Sequence, residues 1–289
     1  PFTFSTTQTM VIELGHQYIR FHTDGATLLH GAAAAWVTST AYAQGDLVTE
    51  SANVYYCAAA HTSGTFATDL SAGKWYLQAS DALEIPSPYA EADLFDIHYV
   101  QSADVMTLTH PGYAPRELRR LGVVNWALQT ALFGAPVTPP AAPTVVASGH
   151  TTAKYTYHYV VTAVAGDGTS ESAPSSEGSD SGNLFETGAI VTVSWSAVSG
   201  ASRYNVYKLQ GGIYGYIGQS AGLSIVDDNI APDLSQTPPI YEAVFNAAGD
   251  YPGAVSYYEQ RRCFAGTTNK PQNIWMTKSS TESDMSYSL

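Results

Sequence analysis

Gly249-Asp-Tyr-Pro-Gly-Ala-Val-Ser-Tyr-Tyr-Glu-Gln-Arg-Arg-Cys-Phe-Ala-Gly-Thr-Thr-Asn-Lys-Pro-Gln-Asn-Ile-Trp275 decides how this chain is read. Glycine and proline punctuate it, so residues 249–253 and 267–271 read as turns. Between them, 254–264 reads as one aromatic strand, and a second, short strand ends at Trp275. Nothing in the stretch is arranged for catalysis.

The same texture extends outward. The chain has 289 residues, long for a single domain and suited to two or three modules. Only 13% of residues are charged, whereas Tyr reaches 20 copies and Thr and Val are frequent, a composition that favours strands. Short runs separated by Gly, Pro, Asn and Asp turns give an all-β expectation.

Twelve basic residues stand against 25 acidic ones, a formal charge of −13. Such a surface argues against tight DNA binding, which draws its affinity from Lys and Arg. It is compatible with a protein past which DNA slides, and equally with simple solubility. The two cysteines, Cys57 and Cys263, do not form a disulfide framework and read as small buried hydrophobes compatible with a reducing cytoplasm. No apolar run reaches membrane-spanning length. The chain opens at Pro1, directly in strand-like sequence, and reads as an internal piece of a longer protein.

Five stretches separate. In 1–30, Phe2-Thr-Phe-Ser-Thr precedes a hairpin, 9–14 and 17–22, turning at Gly15-His16, with a further turn at Thr23-Asp24-Gly25. In 31–80, Ala35-Trp36, Tyr42, Gly45-Asp46-Leu47-Val48, Tyr55-Tyr56-Cys57, His61-Thr-Ser-Gly64 and Lys74-Trp75 follow in order. In 81–135, residues 85–94 read as an extended Pro-rich run and 97–104 as a strand and turn. Residues 105–110 and 116–121 are the next strands. Helical spacing of Leu118, Leu121, Trp126 and Leu132 competes there, but Gly122, Val123 and Val124 favour strands. Four prolines in 136–143 make a stiff linker. After it, to 238, come Tyr155-Thr-Tyr-His-Tyr-Val-Val-Thr-Ala-Val-Ala, then Val191-Thr-Val-Ser-Trp195 and Arg203-Tyr204-Asn-Val-Tyr207. Residues 239–289 contain the opening stretch.

Three of these stretches resemble the tail tubular protein B, or tail nozzle, family of short-tailed bacteriophages. The resemblance rests on Pro1-Phe2-x-Phe-Ser with Glu13-x-Gly15-x-x-Tyr18-Ile-Arg-Phe21 and Asp24-Gly25. It continues with Pro86-Ser-Pro-Tyr89, Val100-Gln-Ser-Ala-Asp104-Val-Met-Thr-Leu108-x-His110-Pro111 and Pro115-x-x-Leu118-x-Arg120. Tyr251-Pro-Gly253, Gln260-Arg261 and Asn269-x-Pro271-x-x-Ile274-Trp275 complete it. Residues 31–80 resemble a chitin-binding-type carbohydrate-binding module. Residues 136–238 resemble a fibronectin type III module in which Trp195 would be the core tryptophan. Its Tyr-x-Val-Thr-Ala hairpin comes first rather than last, so it looks circularly permuted. The combined expectation is an all-β, multi-module chain. A tail-protein body of propeller- or platform-like sheets would be interrupted by a small aromatic module and a sandwich.

No metal or catalytic motif emerges. His16 with His22, and His98 with His110, lack zinc spacing, and Asp227-Asp228-Asn229 lacks a calcium-loop pattern and reads as a turn after strand 223–226. Glu84, Glu91, Asp93 and Asp96 are carboxylates from which a glycoside-cleaving pair could be drawn, and a solvated connector is the simpler reading. No cofactor and no enzymatic activity are expected. The ligand-binding candidates are aromatic: Trp36, Tyr42, Tyr56 and Trp75, with Tyr55 beside them, as sugar platforms or as the core of a small module. Adjacent Tyr55 and Tyr56 point to opposite strand faces, so only one is expected to be buried.

The resemblance implies a virion tail component assembled in the bacterial host cytoplasm. Its partners would be other copies of itself in a ring, adjacent tail adaptor proteins, DNA passing without specific binding, and host surface polysaccharide. A glycan-binding adhesin or receptor-binding tail protein is the alternative. A polysaccharide-degrading enzyme lacking its catalytic domain is a third reading.

Overall fold

The computed structural model describes residues 2–3 and 9–289; Pro1 and the Phe4-Ser5-Thr6 part of the opening run lie outside the described residues. The described chain is almost entirely β, with one short α-helix, Phe66–Ser71, and one 3-10 helix, Glu91–Asp96. It divides into two compact units, 1–131 with 244–276, and 132–243 with 277–289.

In the first unit, the predicted hairpin forms between Thr9–Gly15 and Tyr18–Thr23, with Gln17 at φ 63° completing its turn. Glu84–Pro86 extends this sheet by pairing with Tyr18–Thr23. A four-strand meander follows: His98–Ser102, Val105–His110, Tyr113–Arg120 and Trp126–Thr130. The helical alternative for 115–133 is thereby excluded. Alternating side chains from the hairpin sheet and the meander share one core, in which Trp126 is fully buried, stacked on Phe21 at 4.4 Å and met edge-on by Phe2 at 5.0 Å. Residues 91–94 are not extended as expected; they lie in the six-residue 3-10 helix Glu91–Asp96, about two turns, which forms after Pro86-Ser-Pro88. Tyr113 braces it by donating from its hydroxyl to Asp93 at 2.6 Å.

The single strand expected over 254–264 is instead a hairpin of Ala254–Tyr258 and Arg261–Ala265. Glu259 and Gln260 occupy left-handed conformations, φ 45° and 60°, which reverse the chain in a two-residue loop. Ile274–Met276 adds the third strand. The hairpin places Arg262 (0% exposed) so that its Nη1 donates to Glu117 at 2.7 Å and Thr107 at 2.9 Å of the meander. Arg119 completes the cluster by donating to Glu117 at 2.6 Å. Burial opposes ionisation of Glu117, but the hydrogen bonds from Arg262 and Arg119 outweigh it and hold its pKa below the ordinary value.

The small aromatic segment belongs to this unit and is not a separate body. Its sheet runs Trp75–Leu77, Asn53–Cys57, Leu47–Glu50, Ala34–Ala35. One face, with Val48, Tyr55, Cys57 and Trp75, forms its own small core. The other, with Leu47, Tyr56 and Tyr76, joins the main core of the unit. Gly45 makes the approach possible: a Cβ there would lie 2.3 Å from Asn125 Oδ1, and its φ is +99°. The expectation that only one of Tyr55 and Tyr56 is buried is corrected. They do point to opposite faces, but both faces are covered, leaving 8% and 1% exposed.

The second unit contains two sheets. One is ordered Thr144–Ser148, Ile190–Ser194, Ser224–Asp227; the other Gly178–Gly182, Tyr155–Ala165, Ala201–Gln210, Ile213–Ser220. Residues from both, among them Val161, Val191, Val193, Tyr204 and Val206, pack into one core with Trp195. Trp195 lies against Tyr204, ring centroids 5.4 Å apart. Asp227 is not a plain turn residue. It is fully buried, accepts from Tyr159 at 2.6 Å and from Asn229 and Ile230 N–H at 2.9 and 2.7 Å, and pairs with Lys208 at 2.8 Å. The segment expected as 239–289 divides: 277–289 stays with this unit, where Ile240 and Tyr287 exchange backbone hydrogen bonds of 2.7 and 3.1 Å.

Candidate functional site

The aromatic residues of 36–75 assemble because strand alternation sends Tyr55, Cys57 and Trp75 to one face, and the loops on either side fold over them. Tyr42 meets Trp75 edge-on at 5.1 Å, and Trp36 meets Phe66 edge-on at 5.6 Å. Phe66 in turn meets Tyr55 at 4.8 Å and stacks on Trp75 at 6.0 Å. Tyr42 also closes its own loop: its hydroxyl accepts from Val37 N–H at 2.8 Å. Phe66 is the residue that the sequence reading missed. The signal was the Gly64-Thr65-Phe66 start of a short helix, pinned by Asp69 accepting from Gly64 N–H at 2.9 Å.

Of the expected platform residues, Trp75 is 3% exposed and lies inside this cluster. Tyr56 is buried on the opposite side of the sheet, its hydroxyl donating to Trp126 O at 2.7 Å. Neither presents a ring face to solvent, a correction to their reading as sugar platforms. Trp36 and Tyr42 are partly exposed, and Tyr42 has its hydroxyl engaged internally. Trp36 is therefore the one member of the set with both open surface and no internal hydrogen-bonding duty among the described residues.

Cys57, His61 and Asp69 superficially resemble a thiol triad: the Cys57 Sγ is 3.8 Å from His61 Nδ1, and His61 Nε2 is 3.7 Å from Asp69. The chemistry is wrong for a nucleophile. Burial, with the nearby Asp46 charge, pushes the Cys57 thiol up to about 11. His61 Nδ1 lies 2.8 Å from the Ala59 carbonyl, an acceptor that requires the proton to sit on that nitrogen.

The other titratable candidates serve local structure. His22 pairs with Glu13 at 2.8 Å, His110 accepts from Gly112 N–H at 2.9 Å, and His16 accepts from Glu91 N–H at 3.2 Å. Glu84 is held by Arg20 at 2.7 Å and by the Tyr76 hydroxyl. Among the described residues no group of three or more His, Cys, Asp or Glu converges on a metal position, and no helix is long and apolar enough to cross a membrane. No protein-family model matches the chain, and no curated protein matches it.

Proposed function

We propose that this chain is a structural component of a short-tailed bacteriophage tail, a nozzle or tail tubular protein forming part of the ring around the DNA exit channel. The observation that carries it is the composition of the first unit. Three stretches far apart in sequence, each resembling that family, fold into one body held by contacts across long separations. Arg20 of the first stretch pairs with Glu84 beside the second, and Arg262 of the third donates to Glu117 of the second. A body whose parts close on one another while a second unit leaves it at 131 and returns at 244 is the arrangement expected of an interrupted tail protein. The charge of −13 fits a surface past which DNA moves without sticking. The sheets of the second unit, three strands and four, together with Trp195 in their core, support a rearranged fibronectin type III-like module. Copies of the chain would pack in a closed ring beside adaptor proteins.

Immunogold labelling of virions from the source phage, with antibody against this chain, tests the proposal. Gold at the distal tail is expected. Unlabelled particles in which mass spectrometry finds no peptide of this chain would overturn it.

The partly exposed Trp36 favours a second reading, a glycan-binding role. It requires that Trp36→Ala lose polysaccharide retention while the fold persists, and unchanged retention removes it.

A further inference from the structure

The second unit carries a groove of ≈ 480 Å³, within the range of about 300–1,000 Å³ usual for small-molecule sites. Its walls are the start of Tyr155–Ala165, the end of Ala201–Gln210, and the loop after Ser224–Asp227. Two large rings stand open on it: Phe185, 72% exposed, and Tyr155, 42% exposed, in edge contact at 5.6 Å. Lys208, only 7% exposed, also lines it, with Nζ 5.3 Å over the Tyr157 ring.

The groove is braced from behind. The Tyr157 hydroxyl accepts from Leu184 N–H at 3.0 Å, fixing the turn that presents Phe185. Asp227 orders the 229–230 loop through its two backbone hydrogen bonds and holds Lys208 in place. Lys208 Nζ gives one further hydrogen bond, to Ile230 O at 3.2 Å, which leaves one of its three N–H groups for a ligand. Exposed rings on a braced frame lose little conformational freedom when covered.

The chemistry of the lining selects the ligand. Lys208 is the one charged side chain lining the groove and Asp227 balances it, so the lining itself carries no net charge, with the Lys154 ammonium beside it, 5.6 Å over the Tyr155 ring. The amides of Gln210 and Asn229 each donate and accept, which matches hydroxyl groups. A polyproline run offers only acceptors along its backbone and would leave the amide oxygens unmatched. Ring faces suit the apolar C–H face of a pyranose. We propose that this groove binds a neutral pyranose oligosaccharide, with sugar rings on Phe185 and Tyr155 and hydroxyls on Lys208, Gln210 and Asn229. The inference does not depend on the tail assignment and locates saccharide binding away from Trp36.

Saturation-transfer NMR with cellotetraose, maltotetraose and tetra-N-acetylchitotetraose, all uncharged, on the full chain, tests it. At least one probe should bind, and Phe185→Ala and Tyr155→Ala should each weaken it about tenfold, the loss of one ring contact. Both rings are solvent-exposed, so circular dichroism and the thermal midpoint should stay as in the parent. Tyr258→Ala, an exposed aromatic elsewhere (60%), should leave binding unchanged. Absence of transfer with all three probes overturns the proposal. So does binding that survives loss of Phe185 and Tyr155 but disappears in Trp36→Ala, or displacement of the sugar by a polyproline peptide.

Discussion

Replacing Arg262 with Met should damage the first unit more than any surface change of similar size. Arg262 is 0% exposed and donates to Glu117 and Thr107, and Glu117 is itself only 5% exposed. Truncation therefore leaves a buried carboxylate supported by Arg119 alone. Removing one partner of a buried pair costs about 3–5 kcal/mol, because the remaining charge stays desolvated. On a unit of this size that lowers the unfolding midpoint on the order of 10 °C.

Calorimetry should show the loss in the transition of the first unit while that of the second is unmoved. The pH dependence follows from the depressed pKa of Glu117, whose ordinary value is 4.5. Its ionic contribution is fully present above that value and lost as pH falls through the lower folded pKa. The penalty of Arg262→Met should thus be greatest near neutrality and shrink in acid. The double variant Arg262→Met/Glu117→Leu should recover most of the stability, since no buried charge is then stranded. A neutral-pH loss below about 1 kcal/mol, the value of an exposed pair, or a loss independent of pH refutes the reasoning.

Three further tests address local geometry. Gly45→Ala should cost about 1–3 kcal/mol in chemical denaturation, since it combines left-handed backbone with a Cβ 2.3 Å from Asn125 Oδ1. Glu259→Asn should stabilise the first unit by about 0.5–1 kcal/mol, as Asn suits the first position of a primed hairpin turn, here at φ 45°. The Cys57 thiol, pushed up to about 11 and fully buried, should resist a thiol reagent at pH 8 in about the proportion of one thiolate in a thousand, and react once the chain is denatured. Equal reactivity of Cys57 in native and denatured protein would contradict its placement.

Much of the β architecture was legible because its signals are local. Thr9–Gly15 and Tyr18–Thr23 alternate around a Gly, and Val105–His110 is flanked by turn residues, so those elements appear where the pattern puts them. The Glu259–Gln260 reversal was not legible, because neither residue is among the Gly, Asn and Asp that normally accept left-handed backbone. The 3-10 helix at Glu91–Asp96 was hidden by the prolines before it. At the candidate site, residue types were readable but exposure was not. Trp36, Tyr42, Tyr56 and Trp75 look alike in sequence, and only the partners of each ring separate a buried Tyr56 from a partly open Trp36. Phe185 carried no signal at all, since one Phe in a loop becomes significant only when Tyr155, thirty residues earlier, is brought against it.

Exposure also explains why the small aromatic segment and the second unit, both read as insertions, differ in kind. The second unit has a core of its own, from Tyr159 and Val161 on one sheet to Val191 and Val193 on the other. The small segment has a core of four buried residues, Val48, Tyr55, Cys57 and Trp75, on its private side. A stretch of that size buries too little apolar surface to be stable alone. It supplies the difference by turning Leu47, Tyr56 and Tyr76 into the main core and bonding the Tyr56 hydroxyl to Trp126 O at 2.7 Å and Gln44 to Leu128 O at 2.9 Å. Of the rings that make the segment look like an autonomous sugar-binding module, Tyr55 and Trp75 are consumed in its private core and Tyr56 in holding it to its host. A ligand platform is therefore better sought where a complete core leaves aromatic rings to spare, and on this chain that condition is met at Tyr155 and Phe185.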